Sequence, residues 1–375
     1  MSDRRAVLFA GGGTAGHVFP ALAVARAITD LAPDVEPVFV GTEDRLEGRL
    51  VPEAGYRLHH VPMLPLPRRP SLTLLKLPFA VNRSVRKCAD LVTEENAVAA
   101  VTFGGYVSFP LAWASARTHL PLVVHEQNSI PGLATRFATR WADRIAVTFP
   151  GSADRFRHPE RAAVTGNPVR EEILELAPEE QRGAAREHFG LDRDRATLLV
   201  FGGSQGAQSI NHATVDSYPI WQEPEELQIL HAAGQRLHGE TATMWEQAKK
   251  QGSGPSVRCL DFIDDMALAY AAADVVVCRA GATSIAELTV LGKPALLVPY
   301  PHATHDHQLH NARAVAQAGG AAVVEDDDLD GEQIVATVEP WLLDEERRRE
   351  VAEASRAFGR RDAAANVARL VLDLL

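Results

Sequence analysis

Twice in this chain a short, wholly apolar run breaks into a cluster of glycines and then into a helical stretch. Leu8-Phe9-Ala10 precedes Gly11-Gly12-Gly13-Thr14-Ala15-Gly16-His17, and Leu198-Leu199-Val200-Phe201 precedes Gly202-Gly203-Ser204-Gln205-Gly206-Ala207. Between them Phe103-Gly104-Gly105-Tyr106 repeats the pattern. A strand that is apolar without alternation must be covered on both faces, which a parallel sheet flanked by helices provides. Further runs at 37–40, 97–103, 121–125 and 144–148, then 227–231, 256–260, 274–278 and 295–299, alternate with amphipathic stretches. That rhythm predicts an α/β chain with doubly wound sheets.

A break at about 149–191, with Pro150-Gly151, Pro159 and Asn167-Pro168, separates the two halves. The expectation is two Rossmann-like domains facing across a cleft, 1–167 and 168–356. Residues 344–375 read as helix, basic at the start and apolar at the end, and the part from about 357 is expected to pack back on the first domain. The net charge of −11 excludes nucleic acid as a default partner. Three cysteines without CxxC spacing indicate neither a disulfide framework nor a zinc site, so a reducing cytoplasm is expected. The apolar run at 6–10 is too short for a signal peptide, and no stretch approaches the length of a membrane span.

Glycine lets backbone amides approach an anion, and the helix start behind each loop adds partial positive charge. One such loop is equally well a tight turn; three at the carboxyl ends of strands point to a phosphate-rich ligand. Gly11-Xaa-Gly13-Xaa-Xaa-Gly16 formally matches the dinucleotide fingerprint, but the second strand ends Phe39-Val40-Gly41-Thr42 without the acid that holds a ribose. A nicotinamide enzyme is therefore disfavoured.

Four further clusters carry chemistry. His125-Glu126-Gln127-Asn128 ends a strand, and Arg170 follows Gly166-Asn167-Pro168-Val169, either as a phosphate partner or as a surface arginine after a turn. Arg279-Ala280-Gly281-Ala282-Thr283-Ser284 opens a helix that carries Glu287. His302, His305, His307 and His310, with Asp306 and Gln308, suit either a metal or sugar hydroxyls.

In this order, and with Gly104-Gly105-Tyr106-Val107-Ser108 and Phe262-Ile263-Asp264-Asp265-Met266, the motifs resemble the MurG family over residues 6–320. Those N-acetylglucosaminyltransferases convert lipid I to lipid II in peptidoglycan synthesis, and so serve cell-wall growth, shape and division. The resemblance implies a GT-B fold without a cofactor, with the acceptor held by the first domain and UDP-N-acetylglucosamine by the second. By position Thr14, Asn128, Arg170, Ser204, Ile263, Ala282, Thr283, Ser284, Glu287 and Gln308 form the donor set, with Ile263 on the uracil, Glu287 on the ribose and Asn128 on the donor sugar. Thr14 also matches the acceptor edge, with Gly13, Gly16, Gly104, Gly105 and Tyr106. Two departures from the family are Ala15, expected to matter little, and Phe109, expected to make the second loop bulkier.

Inverting transfer needs a base for the acceptor's 4-hydroxyl. His17 is the first candidate, with its pKa held low by the helix dipole, and Glu126 and His125 are its rivals. No metal is expected: Asp192-Arg193-Asp194 reads as a solvated turn. Residues 64–87 contain no Asp or Glu, and they set Leu72, Leu75 and Phe79 beside Lys76, Arg83 and other basic residues. This is the pattern of a peripheral segment on an anionic membrane, or else of a core-packed helix with a basic face. The resemblance implies that the membrane is the bacterial inner membrane, met at its cytoplasmic face. Rival activities are a UDP-sugar epimerase, another glycolipid synthase and a non-catalytic lipid-carrier binder.

Overall fold

The computed structural model describes residues 5–62 and 73–375, with side chains from residue 78 onward in the second span. Leu72 lies outside the described residues, as do the side chains of Leu75 and Lys76. The chain divides into two compact units, Met1–Arg170 with Arg360–Leu375, and Glu171–Gly359.

The first unit is a seven-stranded parallel sheet in the order β3-β2-β1-β4-β5-β6-β7. Its strands are β1 (Arg5–Ala10), β2 (Val35–Gly41), β3 (Arg57–His60), β4 (Ala97–Thr102), β5 (Leu122–Glu126), β6 (Arg144–Val147) and β7 (Ala162–Val164). Side chains along a strand alternate between faces, so an all-apolar strand feeds two cores. Ala6, Leu8 and Ala10 of β1 join one apolar cluster with Val85, Cys88, Leu91, Leu111 and Ala138 from the helices on that side. Val7 and Phe9 join the other, with Ala21, Val24 and Ile28 of the helix Ala15–Leu31 and Val367 and Val371 of the helix Ala363–Leu372. Burying a side chain the size of Leu8 or Phe9 stabilises by roughly 1.5–3 kcal/mol. β7 lies inside the stretch read from sequence as a break, and it completes the first sheet.

The second unit is a six-stranded parallel sheet in the order β10-β9-β8-β11-β12-β13. It comprises β8 (Ala196–Phe201), β9 (Leu227–Ala232), β10 (Ser256–Leu260), β11 (Val275–Arg279), β12 (Ala295–Val298) and β13 (Ala321–Val323). The stretch 344–375 forms two helices, Glu345–Phe358 and Ala363–Leu372, rather than one. The break follows from Gly359: a side chain there would meet the Thr289 carbonyl oxygen at 2.6 Å, so only glycine passes.

Candidate functional site

In the first sheet the crossover direction reverses between β1 and β4, and both strands end in glycine turns. Phe103 N donates to Ala10 O at 2.8 Å and holds the two turns side by side. Gly13, Gly104 and Gly105 have φ of +86°, +86° and +77°. A Cβ on Gly104 would lie 3.1 Å from His17 Nε2, and one on Gly105 would lie 2.6 Å from Gly12 O. The His17 imidazole is thus walled by bare backbone that no other residue type leaves open.

His17 sits half-buried on the first turn of the helix Ala15–Leu31. Its Nδ1 is 3.1 Å from Gly12 O and 3.0 Å from Thr14 Oγ1. A carbonyl only accepts, so Nδ1 carries the proton and Nε2 keeps its lone pair. Burial pulls the pKa below its ordinary value, opposed by the Gly12 carbonyl and the Glu47 carboxylate. Burial thus supplies the depression for which the helix dipole alone was expected from sequence.

The two rival bases are enclosed. His125 is fully buried, its Nε2 donating to Gly166 O at 3.2 Å, and burial pulls its pKa down to about 4. Glu126 is also buried, which raises its pKa even though it accepts from Asn128 N at 2.9 Å, from Asn128 Nδ2 at 3.3 Å and from Gly132 N at 3.2 Å. Those bonds fold residues 126–132 into a turn and leave Asn128 half-buried beside it.

Around His17, Gly16 lies in the same helical turn, Thr14 is exposed, and the Tyr106 ring covers Gly13, whose added Cβ would be 3.2 Å from Tyr106 Cε1. Tyr106 also lines a cavity of about 350 Å³ with Thr42, Glu43, Arg45 and His60. Arg170 belongs to this unit, its guanidinium 4.7 Å above the ring of Phe19, two residues beyond His17. Phe109 does not thicken the glycine turn. It is the second residue of the helix Ser108–Thr118, and its ring packs on Trp113, Phe137 and Trp141. Ala15 needs no positive φ.

The second sheet reverses between β8 and β11. The loop after β8 carries Ser204 exposed at its tip, and its end is clamped, since a Cβ on Gly206 would lie 2.1 Å from Ala233 O. After β11 the helix Ala282–Leu291 starts at Gly281, with Ala282 buried and Thr283 and Ser284 half-buried on its first turn. Glu287, one turn on, is buried and accepts from Tyr270 Oη at 3.0 Å. Ile263 is buried beyond the end of β10, and Gln308 Oε1, beyond β12, accepts from Tyr300 N at 2.9 Å. Ser204, Ile263, the helix start and Gln308 therefore share the carboxyl edge of this sheet. Asp192-Arg193-Asp194 forms a turn closed by Asp194 N on Asp192 Oδ1 at 2.9 Å. Among the described residues no group of three or more His, Cys, Asp or Glu is arranged to hold a metal ion.

Three features escaped the sequence reading. Glu47, buried, accepts from Gly13 N at 3.0 Å and from Thr42 Oγ1 at 2.8 Å. Tyr270 engages Glu287 as above. An aromatic cluster of Phe109, Trp113, Phe137 and Trp141 bears Arg117 over Trp113 and Arg140 over Phe137. Leu133 is 60% and Phe137 45% exposed. The helix Thr73–Glu94, packed beside Ser108–Thr118, buries Val85, Cys88 and Leu91 and leaves Arg83 exposed and Phe79 80% exposed. Among the described residues no helix is long and apolar enough to cross a membrane.

Two doubly wound sheets, each with a glycine turn at its reversal point, are the GT-B class of nucleotide-sugar enzyme. Residues 7–147 match the N-terminal domain of glycosyltransferase family 28 and residues 197–367 its C-terminal domain. A relative from a Nocardioides species is 44% identical over 98% of both chains, and one from Mycolicibacterium smegmatis is 42% identical over 100% of this chain and 95% of its own. Both are named UDP-N-acetylglucosamine–N-acetylmuramyl-(pentapeptide) pyrophosphoryl-undecaprenol N-acetylglucosamine transferase. The crystal structure of Acinetobacter baumannii MurG superposes with a TM-score of 0.77 at 26% identity, covering 98% of this chain and 99% of its own. A UDP-GlcNAc 2-epimerase from Neisseria meningitidis shares the fold alone, with a TM-score of 0.70 at 11% identity over 99% of both chains. The chain belongs to glycosyltransferase family 28 and, within it, to the MurG family.

Proposed function

We propose that this chain transfers N-acetylglucosamine from UDP-N-acetylglucosamine to the 4-hydroxyl of the N-acetylmuramyl group of lipid I, with inversion, giving lipid II for peptidoglycan synthesis. The observation that carries the mechanism is His17: a neutral imidazole with its Nδ1 proton held by Gly12 and its Nε2 lone pair facing a glycine-walled space. Nε2 takes the proton from the acceptor hydroxyl as that oxygen attacks the anomeric carbon and the bond to UDP breaks. A base so placed contributes about 10²–10⁴-fold. His125 and Glu126 then act as its buried surroundings.

The unit Glu171–Gly359 takes the donor, with Ile263 on the uracil, Glu287 on the ribose hydroxyls, and Ser204 and Gln308 on the remainder. The diphosphate charge is met without metal by the amides of Ala282, Thr283 and Ser284 at the helix start. The first unit takes the acceptor at Gly13, Thr14, Gly16, Gly104, Gly105 and Tyr106.

The acceptor's lipid tail requires a membrane. The apolar side chains of Phe79, Leu133 and Phe137, rimmed by Arg83, Arg117 and Arg140, suit the cytoplasmic face of the bacterial inner membrane. Each basic residue adds about 1 kcal/mol of attraction to anionic lipid.

Transfer of labelled sugar from UDP-N-acetylglucosamine to a lipid I analogue, in wild type and His17→Ala, tests the reading. A folded His17→Ala protein with near-normal kcat rejects His17 as the base. Epimerisation of UDP-N-acetylglucosamine incubated alone, without transfer, rejects the activity.

A further inference from the structure

Glu47 is buried 30 residues beyond His17 in sequence and lies beneath the glycine loop. Its Oε2 accepts from Gly13 N at 3.0 Å, while Oε1 accepts from Thr42 Oγ1 at 2.8 Å and Thr42 N at 3.3 Å. The Gly13 N–H and the Gly12 C=O belong to one peptide group, and Gly12 O is the acceptor for His17 Nδ1 at 3.1 Å. The room for this carboxylate is made by glycine: a Cβ on Gly12 would lie 2.6 Å from Glu47 Oε1, and one on Gly41 2.8 Å from Glu47 Cγ.

We propose that Glu47 is a positioning residue for His17, acting through the Gly12–Gly13 peptide. The carboxylate draws on the amide proton at one end of that peptide and so makes the carbonyl at the other end a stronger acceptor. A stronger acceptor locks the imidazole with its proton on Nδ1, orients the ring, and leaves Nε2 as the basic nitrogen. The arrangement does the work of the carboxylate in a carboxylate–histidine pair, with a peptide group set between the two partners. It rests on the reading of His17 as the general base. The titratable groups facing the imidazole are Glu47 itself and His125 from β5, which burial keeps neutral, with Tyr106 on the far side of Gly13. Glu47 is therefore the negative charge that supports the imidazolium when the proton arrives, consistent with its upward pull on the His17 pKa.

The test is Glu47→Gln in the full-length protein, labelled with ¹⁵N-histidine, with the His17 signals identified by their loss in His17→Gln. In wild type the His17 nitrogens report a single Nδ1–H tautomer. In Glu47→Gln they report a mixture and titrate about one pH unit lower. In parallel, kcat for transfer to a lipid I analogue falls about tenfold and its acidic limb moves to lower pH, while KM for UDP-N-acetylglucosamine stays within twofold. A folded Glu47→Gln protein with wild-type His17 tautomer and titration overturns the proposal. If the imidazole signals change and the acidic limb of kcat does not, Glu47 positions His17 but His17 is not the base. Glu47→Asp, which keeps the charge and withdraws it by one methylene, is the second variant. Its tautomer ratio moves and its titration stays near wild type; an unchanged ratio counts against Glu47.

Discussion

Gly105 and Gly203 have nearly the same backbone, φ +77° and +89°, and opposite surroundings. Alanine at either position must hold a left-handed conformation, at about 1–2 kcal/mol. For Gly203 that is the whole expected effect, since nothing lies within 4 Å of an added Cβ. For Gly105 the new Cβ falls 2.6 Å from Gly12 O, a backbone atom that cannot swing aside, and 3.4 Å from His17 Nδ1. Ordinary contact requires the loop that carries His17 to retreat by roughly 0.6–0.8 Å. Misplacement of a catalytic group by about 1 Å costs on the order of 10²-fold in rate. Gly105→Ala is therefore expected to lower kcat by about 10–100-fold; Gly203→Ala should lose roughly 2–8 °C in Tm and Gly105→Ala at least as much. Initial rates of labelled-sugar transfer to a lipid I analogue, with thermal unfolding of the same preparations, measure both. If Gly105→Ala unfolds as expected but transfers at the wild-type rate, the loop does not set the position of His17 and the reasoning fails.

Tyr270→Phe removes a hydrogen bond to the buried Glu287 carboxylate, worth about 1.5–3 kcal/mol. KM for UDP-N-acetylglucosamine should rise with kcat nearly unchanged, and an unaltered KM would separate Glu287 from the donor. Phe79→Asp combined with Phe137→Asp should abolish co-flotation with anionic vesicles; full retention would place membrane contact elsewhere. His125 and His231 are buried with pKa values pulled by desolvation to about 4 and about 3. Their neutral forms stabilise the fold above the unfolded value near 6.5, and each withdraws ~1.4 kcal/mol per pH unit as pH falls from there toward its folded value. Denaturant unfolding at pH 7 and pH 5 checks this, and equal stabilities would contradict it. Chelation by EDTA should leave transfer unchanged.

The interior strands were readable because each feeds two cores. Ala6 to Ala10 has no polar residue, and the pattern survives without any knowledge of partners. The strands that escaped stand at sheet edges. β3 is Arg-Leu-His-His, with Arg57 exposed and ion-paired to Glu36 and Glu95, and β7 and β13 are three-residue strands of Ala-Ala-Val. An edge strand has only one neighbour and tolerates water, so composition does not mark it. The glycine turns were legible because φ and close approach admit no other residue. Glu47 was not, because it sits among Glu43, Asp44 and Arg45 as one charge in a polar stretch, and only the packing of the helix Leu46–Glu53 returns it to Gly13. The aromatic cluster did leave a signal in Phe109, Trp113 and Arg117, spaced four apart along one helical face.

The helix Ala363–Leu372 that closes the first unit belongs to a segment separated from it in the chain by all of Glu171–Gly359. On the ribosome the face of the first sheet lined by Val7, Phe9 and Ala21 is therefore made long before its cover of Val367, Ala368 and Val371 exists. At ~5–20 residues per second the delay is roughly 10–40 s. During that interval the nascent first unit presents to the cell an apolar surface that the finished chain covers. Premature termination after the second unit would make that exposure permanent and mark the fragment for aggregation or proteolysis.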